Sequence, residues 1–326
     1  MSAVLVLSAT DVHSVFDLRT AIASQRTAFA ALGRGEALLA PRLLLPERGD
    51  DLAFCYVAGL PGAGAVAKFG SVRPGNAARG LPSVSALVVA LDPVDGRPAA
   101  IVEGTSVTTL RTSAASAVAI DHLAVPGASR LAVIGAGVQG RAHLRAVAAV
   151  RPLRRVRLFS RDPSACAVTA AELSRELDLP VRAAATAREA VVGSDIVITC
   201  TTSKEPVVHG TWIDQGCTVV SVGSFAPGHR EVDTALLTRA AAVVVDDVAT
   251  AREQAGPVIA ALREGDLEPA DLLSLGDVVT GRSPARHSPD DIVFYNSVGL
   301  GIQDAAAIDR IITIARRTGA GRLIHL

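Results

Sequence analysis

The stretch Leu131-Ala-Val-Ile-Gly135-Ala-Gly137-Val-Gln-Gly140 joins a short apolar run to a complete G-x-G-x-x-G. Gly135 permits a tight strand-to-helix turn, Gly137 lets the main chain approach a pyrophosphate, and Gly140 lets the helix pack on the strand. The free N–H groups at the start of that helix face the anion, with Val138 and Gln139 beside it. A lone match is weak. Here a strand precedes it, an alanine-rich helical pattern follows, and a second strand, Arg155-Val-Arg-Leu-Phe159, lies at the distance a βαβ unit requires. The reading is a dinucleotide site; the plainer alternative is a glycine-rich turn.

The end of the second strand selects the dinucleotide. An NAD site ends this strand in an acid that accepts from the ribose hydroxyls. This chain has Phe159-Ser160-Arg161, with Asp162 one step late. Ser160 can donate to a 2′-phosphate and Arg161 can pair with it in a bidentate way. NADP(H) is the preferred cofactor and NAD(H) the other candidate; the alternative for Arg161 is an ordinary surface arginine.

The 32 basic residues include two lysines, Lys68 and Lys204, so 30 are arginine. Lys204 sits in a polar turn. Lys68 lies in the apolar, strand-like Ala65-Val-Ala-Lys-Phe-Gly70. Burying an ammonium is costly unless it is paired, and burial lowers its pKa toward proton-transfer use. Lys68 is therefore the candidate catalytic residue, against the alternative of an edge-strand lysine reaching water.

Around these residues, 326 positions with 49% hydrophobic content allow a large core and two lobes. The formal charge of zero gives no electrostatic case for nucleic acid or an anionic membrane. No apolar run approaches the ~20 residues of a membrane span, and the N-terminus lacks the basic flank of a signal peptide. Cys55, Cys166, Cys200 and Cys217 share neither metal-ligand nor disulfide spacing, so no metal is expected. The expectation is a soluble, cytoplasmic protein.

One helix is predicted from Thr10 or Asp11 to about Leu32, then short strands at Leu52–Val57, Ala65–Ser71 and Ser83–Leu91 in an antiparallel α+β lobe. A polar turn from Thr105 leads into an alanine-rich helix to His122. From Ser129 strands and helices alternate, giving an α/β, doubly wound parallel sheet of Rossmann type. A last strand at Ile292–Ser297 precedes a closing helix from about Gln303 to Arg317. The expected domains are 1–125 plus 303–326, for substrate binding and dimerisation, and 126–302, for the dinucleotide.

With these elements placed, the chain resembles the ornithine cyclodeaminase/mu-crystallin family over essentially its whole length. The resemblance rests on Pro41-Arg42-Leu43, Lys68, Val72-Arg-Pro-Gly-Asn76 with Gly80-Leu-Pro82, and Leu110-Arg111-Thr112-Ser-Ala-Ala-Ser116. It continues through Gly135-Ala-Gly137-Val-Gln139, Ser194-Asp-Ile-Val197, Gly223-Ser-Phe-Ala-Pro227 with Arg230-Glu231, and Val298-Gly299 with Asp304. It implies a homodimer acting on amino or imino acids. Arg42, Lys68 and Arg111 would hold the substrate carboxylate, with Asn76 orienting the substrate. Thr112 and Ser83 would approach the cofactor phosphates, and Thr201, Val222, Gly223, Ser224, Val298 and Gly299 would line the rest of the cofactor. The alternative for Arg111 is a residue at a helix N-terminus, where a cation needs a compensating anion such as substrate carboxylate or cofactor phosphate.

Two departures refine this. By register, the position of the cyclodeaminases' catalytic aspartate is Phe225 here, and Ala53 through Ala67 contains no acid. A phenyl ring cannot act as the base that cyclodeamination needs, but it suits the apolar body of a cyclic imine. The Gly-Ser-Phe-x-Pro form is similar to the family's ketimine reductases. The expected reaction is NAD(P)H-dependent reduction of Δ1-pyrroline-2-carboxylate or Δ1-piperideine-2-carboxylate. Lys68 or a bound water would supply the proton, with His229 a more distant candidate. Glu231 reads as a partner of Arg230 or a helix cap. The alternatives are a cyclodeaminase or alanine dehydrogenase-like member, an imine-forming synthase, and a non-catalytic NADPH-dependent binding protein.

Overall fold

The computed structural model describes residues 3–325. The chain divides into two compact units, Met1–Thr112 with Leu300–Leu326, and Ser113–Gly299. The first opens with β1 (Ala3–Leu7), α1 (Ala9–Val15), α2 (Leu18–Gly33), β2 (Leu38–Leu39), β3 (Leu43–Pro46), β4 (Leu52–Gly59), β5 (Val66–Val72), β6 (Val84–Leu91), β7 (Pro98–Glu103) and the first part of α3 (Gly104–Leu123), whose residues from Ser113 on belong to the second unit. Two helices replace the single helix expected between residues 10 and 32, because each has its own cap. Ser8 and Asp11 form a reciprocal capping box on α1, and the Asp17 side chain accepts from Thr20 N–H at the start of α2. Phe16 between them leaves helical geometry with φ −129° and ψ 81°. The polar turn expected at Thr105 is also corrected: Glu103 accepts from the N–H groups of Thr105 and Ser106, so α3 begins at Gly104.

The second unit contains β8 (Arg130–Ile134), α4 (Val138–Ala148), β9 (Arg155–Phe159), α5 (Pro163–Leu177), β10 (Val181–Ala183), α6 (Ala187–Val191), β11 (Ile196–Thr199), β12 (Thr218–Ser221), α7 (Thr234–Arg239), β13 (Ala242–Val245), α8 (Val248–Gln254), α9 (Gly256–Glu264), β14 (Leu272–Ser274), α10 (Leu275–Val279) and β15 (Val293–Asn296). Its sheet has the order β10-β9-β8-β11-β12-β15-β13-β14, and every pairing is parallel. This is a doubly wound Rossmann sheet. The order reverses between β8 and β11, which places the ligand-binding switch point at the carboxyl ends of those two strands. The strands are buried on both faces, as their Val- and Ile-rich runs require.

The C-terminal segment, α11 (Gly301–Thr318) and β16 (Arg322–His325), completes the first unit. Its sheet runs β16-β1-β7-β6-β5-β4-β2, with β3 also paired to β4. All pairs are antiparallel except β1 with β7. The antiparallel pairing expected of the strands at 52–57, 65–71 and 83–91 holds, and the parallel pair is added by residues 3–7, which the sequence reading left outside the sheet. In the register, Tyr56, Lys68 and Val88 stand side by side and are buried on the face that α11 packs against. One residue along, Cys55, Phe69 and Leu87 form the opposite face, where Phe69 and Leu87 are exposed.

Candidate active site

Lys68 lies on β5, an interior strand, which removes the edge-strand reading. Its Nζ donates to Asp304 Oδ1 at 2.8 Å and to Thr108 Oγ1 at 2.5 Å. Asp304, in the first turn of α11, also accepts from the Tyr56 hydroxyl at 2.7 Å, and Arg111 Nε stands 3.5 Å from its second oxygen. Arg111 further donates to Gln303 Oε1, which also accepts from Leu300 N–H. The Arg42 guanidinium lies 5.3 Å from the centre of the Tyr56 ring, within cation–π range. Gly301 is needed for this approach, since a Cβ there would come within 2.7 Å of Ala58 and 3.0 Å of the Tyr56 ring.

Two cations, Lys68 and Arg111, therefore meet one carboxylate, with Arg42 beside the Tyr56 ring. Burial lowers the Lys68 pKa from its usual 10.5 to about 8; Asp304 opposes the fall and Arg111 adds to it. Burial alone would raise the Asp304 carboxyl, but Arg111 and then Lys68 outweigh it and hold the group below its usual value. Burial, followed by the Asp304 charge, pushes the Tyr56 phenol well above 10. The cluster contains a neutral phenol, one carboxylate, one lysine able to release a proton near neutral pH, and two guanidiniums. Its surplus of positive charge suits an anion.

Arg111 is the eighth residue of α3, well inside the helix. The alternative of a helix N-terminal residue is removed, and Asp304 is the anion that accompanies Arg111. Thr112 follows within the same helix, so its N–H belongs to the helical ladder and is not free for a phosphate. Asn76 donates to the Pro82 carbonyl at 3.0 Å and ties a turn together. Ser83 lies just ahead of β6, its carbonyl accepting from Arg73 N–H.

The second unit presents the glycine cradle. Gly135 has φ +113°, and a Cβ there would stand 2.5 Å from the Cys200 carbonyl. A Cβ on Gly140 would lie 1.8 Å from the Gly135 carbonyl, whereas one on Gly137 would meet nothing within 4 Å. Gly137 is the N-cap of α4 and has no side chain to cap it, so this end of the helix opens onto clear space as a pyrophosphate requires. Val138 is exposed at the first position and Gln139 half-buried at the second. These features fit a dinucleotide. At the end of β9, Ser160 donates to the Asp162 carbonyl and Arg161 is exposed. Asp162 accepts from Ala165 N–H and caps α5.

Glu231 corrects the reading of a partner for Arg230. It is fully buried and accepts from Thr199 Oγ1, Thr201 N–H, Ser221 Oγ and Gly223 N–H at 2.5 to 2.9 Å, while Arg230 has Glu264 at 3.9 Å. Ser224 is also turned inward, accepting from Glu231 N–H and lying 2.9 Å from Ser221 Oγ. Val222 is buried beside it. Val298 and Gly299 direct their N–H groups to the buried Asp246 at 2.8 and 2.6 Å. Phe225 is half-buried, packs on the apolar core and stacks on His229 with centroids 5.5 Å apart.

Sequence reasoning missed Tyr56, Thr108, Gln303 and Asp246, and quoted Asp304 without assigning it a role. For Tyr56 a signal existed, since it is one of two tyrosines in the chain and stands in an apolar run. The pairing of Asp304 with Lys68, 236 positions apart, had none. Among the described residues no group of acids, cysteines and histidines could hold a metal, and no helix is long and apolar enough to cross a membrane.

Residues 3–318 match the ornithine cyclodeaminase/mu-crystallin family. The chain is 30% identical to a Δ1-pyrroline-2-carboxylate reductase of Bacillus cereus over 98% of its own length and 99% of that protein. Among solved structures, Thermococcus litoralis Δ1-pyrroline-2-carboxylate reductase in complex with NADH and L-proline superposes with a TM-score of 0.95. Identity there is 32%, with 98% and 100% of the two chains covered. An archaeal alanine dehydrogenase dimer with bound NAD gives a TM-score of 0.94 at 28% identity, with 100% of both chains covered. The chain belongs to the ornithine cyclodeaminase/mu-crystallin family.

Proposed function

We propose that this protein is an oxidoreductase of CH–NH groups that reduces a cyclic ketimine carboxylate, Δ1-pyrroline-2-carboxylate or Δ1-piperideine-2-carboxylate, to proline or pipecolate. The observation that carries the reading is the buried Lys68–Asp304–Arg111 cluster with Arg42 at its side. Arg42, Lys68 and Arg111 engage the substrate carboxylate. Asp304 and Thr108 fix the direction of the Lys68 ammonium, and Tyr56 and Gln303 hold Asp304 and Arg111 in turn. With a pKa near 8, Lys68 carries a proton at neutral pH that the imine nitrogen takes as the C=N carbon is reduced.

The second unit holds a nicotinamide dinucleotide through Gly135, Gly137 and the start of α4; when bound, that cofactor supplies the hydride. Ser160 and Arg161 favour the 2′-phosphate form. The relatives solved with NADH and NAD support the nicotinamide class. Phe225 lines the apolar side of the substrate. The exposed apolar row Leu43, Phe69 and Leu87 on the outer sheet face is covered by a second copy of the chain, as a homodimer.

The test is NADPH oxidation against pyrroline- and piperideine-2-carboxylate and against pyruvate with ammonia. Turnover of a cyclic imine is expected. Turnover of pyruvate with ammonia alone would replace this reading by an alanine dehydrogenase, the activity for which the second solved relative is named.

A further inference from the structure

The C-terminal ends of four neighbouring strands in the second unit rest on two buried carboxylates. Glu231 joins the ends of β11 and β12 through Thr199 and Thr201 on one and Ser221 and Gly223 on the other. Asp246, just past β13, joins that strand to β15 and the residues after it. It accepts from the Tyr295 hydroxyl, Ser297 Oγ and the N–H groups of Val298 and Gly299. Ser297 N–H to the Ser221 carbonyl, and Asn296 to the Ser224 carbonyl, connect the two halves. Glu231, Asp246, Ser221, Ser224 and Asn296 are all fully buried. The strands also pair through their own backbone ladders.

We propose that Glu231 and Asp246 are positioning residues that set the loops after β11, β12 and β15 for the nicotinamide ring and bias the bound cofactor toward its oxidised form. The proposal rests on the reading that this unit binds a nicotinamide dinucleotide. In a doubly wound sheet the ligand lies outside the carboxyl ends of the strands, above these loops. The amides of Thr201 and Gly223 can only donate, as can those of Val298 and Gly299, so each carboxylate is held by fixed dipoles that favour its ionised form. Burial raises the Glu231 carboxyl above its usual value, and the hydrogen bonds from Thr201, Thr199 and Ser221 oppose that rise without cancelling it. The hydrogen bonds that Glu231 accepts come from hydroxyls and amides and bring it no opposing charge. A buried anion stabilises the cationic pyridinium over the neutral dihydronicotinamide, which makes departure of a hydride easier.

The experiment compares the dissociation constants of NADPH, read by its fluorescence, and of NADP+, read by competition, for wild type, Glu231→Gln, Glu231→Asp and Asp246→Asn. The preference for oxidised over reduced cofactor should fall about tenfold in Glu231→Gln, the scale of a unit charge acting through protein. Glu231→Asp should keep the ratio within about twofold of wild type while weakening both forms. Asp246→Asn, the independent arm if Glu231→Gln does not fold, should also lower the ratio. A purely structural role would weaken both forms equally and leave the ratio unchanged, and that result overturns the proposal. Wild type that binds neither nucleotide overturns the dinucleotide reading itself, a separate outcome.

Discussion

Lys68 Nζ and Asp304 Oδ1 lie 2.8 Å apart, with 1% and 0% of their side chains exposed. Taking two charges out of water carries a desolvation cost of several kcal/mol per ion, and the attraction between them offsets it only with good geometry and further hydrogen bonds. Thr108 and Tyr56 supply those hydrogen bonds, and Arg111 adds a second ion pair at 3.5 Å. A pair kept at that cost in a chain with two lysines points to use of the ammonium.

Lys68→Ala should lower kcat/KM for the imine by about 2–4 kcal/mol, the loss of a charge-assisted contact in a dry site. In wild type, kcat/KM should be level below pH 8 and fall above it, because the protonated ammonium is the active form and its pKa is about 8. A pH profile of Lys68→Ala that keeps the alkaline fall would assign that limb to another group.

Arg161 should confer a preference of about tenfold or more for NADPH over NADH. Arg161→Ala should remove ~1–3 kcal/mol of 2′-phosphate binding and erode the preference. Steady-state kcat/KM with both cofactors checks this; equal values in wild type contradict it.

Phe225 should prevent conversion of ornithine to proline and ammonia. Ammonia assayed after incubation with L-ornithine and NAD should stay at background. Phe225→Asp should slow imine reduction, because a charge that must be desolvated replaces an apolar wall. Sustained ammonia release from wild type with stoichiometric proline would restore the cyclodeaminase assignment.

His143 should make the fold acid-sensitive. It is fully buried, with Nε2 2.9 Å from Ser116 Oγ and Nδ1 2.7 Å from the Gln139 carbonyl. Burial takes its pKa from 6.5 to about 4. Between these values the unfolded chain binds a proton that the folded chain does not. The stability it contributes is thus full above pH 6.5 and falls by about 3 kcal/mol as pH drops to about 4. Urea midpoints at about pH 7 and about pH 4.5 should separate in wild type and converge in His143→Gln.

Leu87→Arg, on the exposed face of β6 (54% exposed), should weaken self-association by about tenfold or more, since it places a charge in an apolar contact. Sedimentation across a dilution series reads this. An unchanged dimer would move the interface to another surface.

The dinucleotide cradle was legible in the sequence because it is local. Three glycines, their strand and their helix lie within one βαβ unit, and backbone sterics assign each glycine its place. The alternating strands of the doubly wound sheet were legible for the same reason, as continuous apolar runs between helices. Lys68 stood out through composition alone. What the sequence could not decide was the company each residue keeps. Asp304 meets Lys68 only when α11 returns to the first unit and lies on β4 and β5. The split of the first helix turned on two caps at Ser8 and Asp17, and the helix-end alternative for Arg111 is removed because Glu103 starts α3 earlier. Glu231, read as a partner of Arg230 or a helix cap, is buried beneath two strand ends. Local sterics and hydrophobic periodicity are written in adjacent residues, whereas a buried polar group is satisfied by whichever donors the fold brings to it. That choice belongs to the tertiary structure.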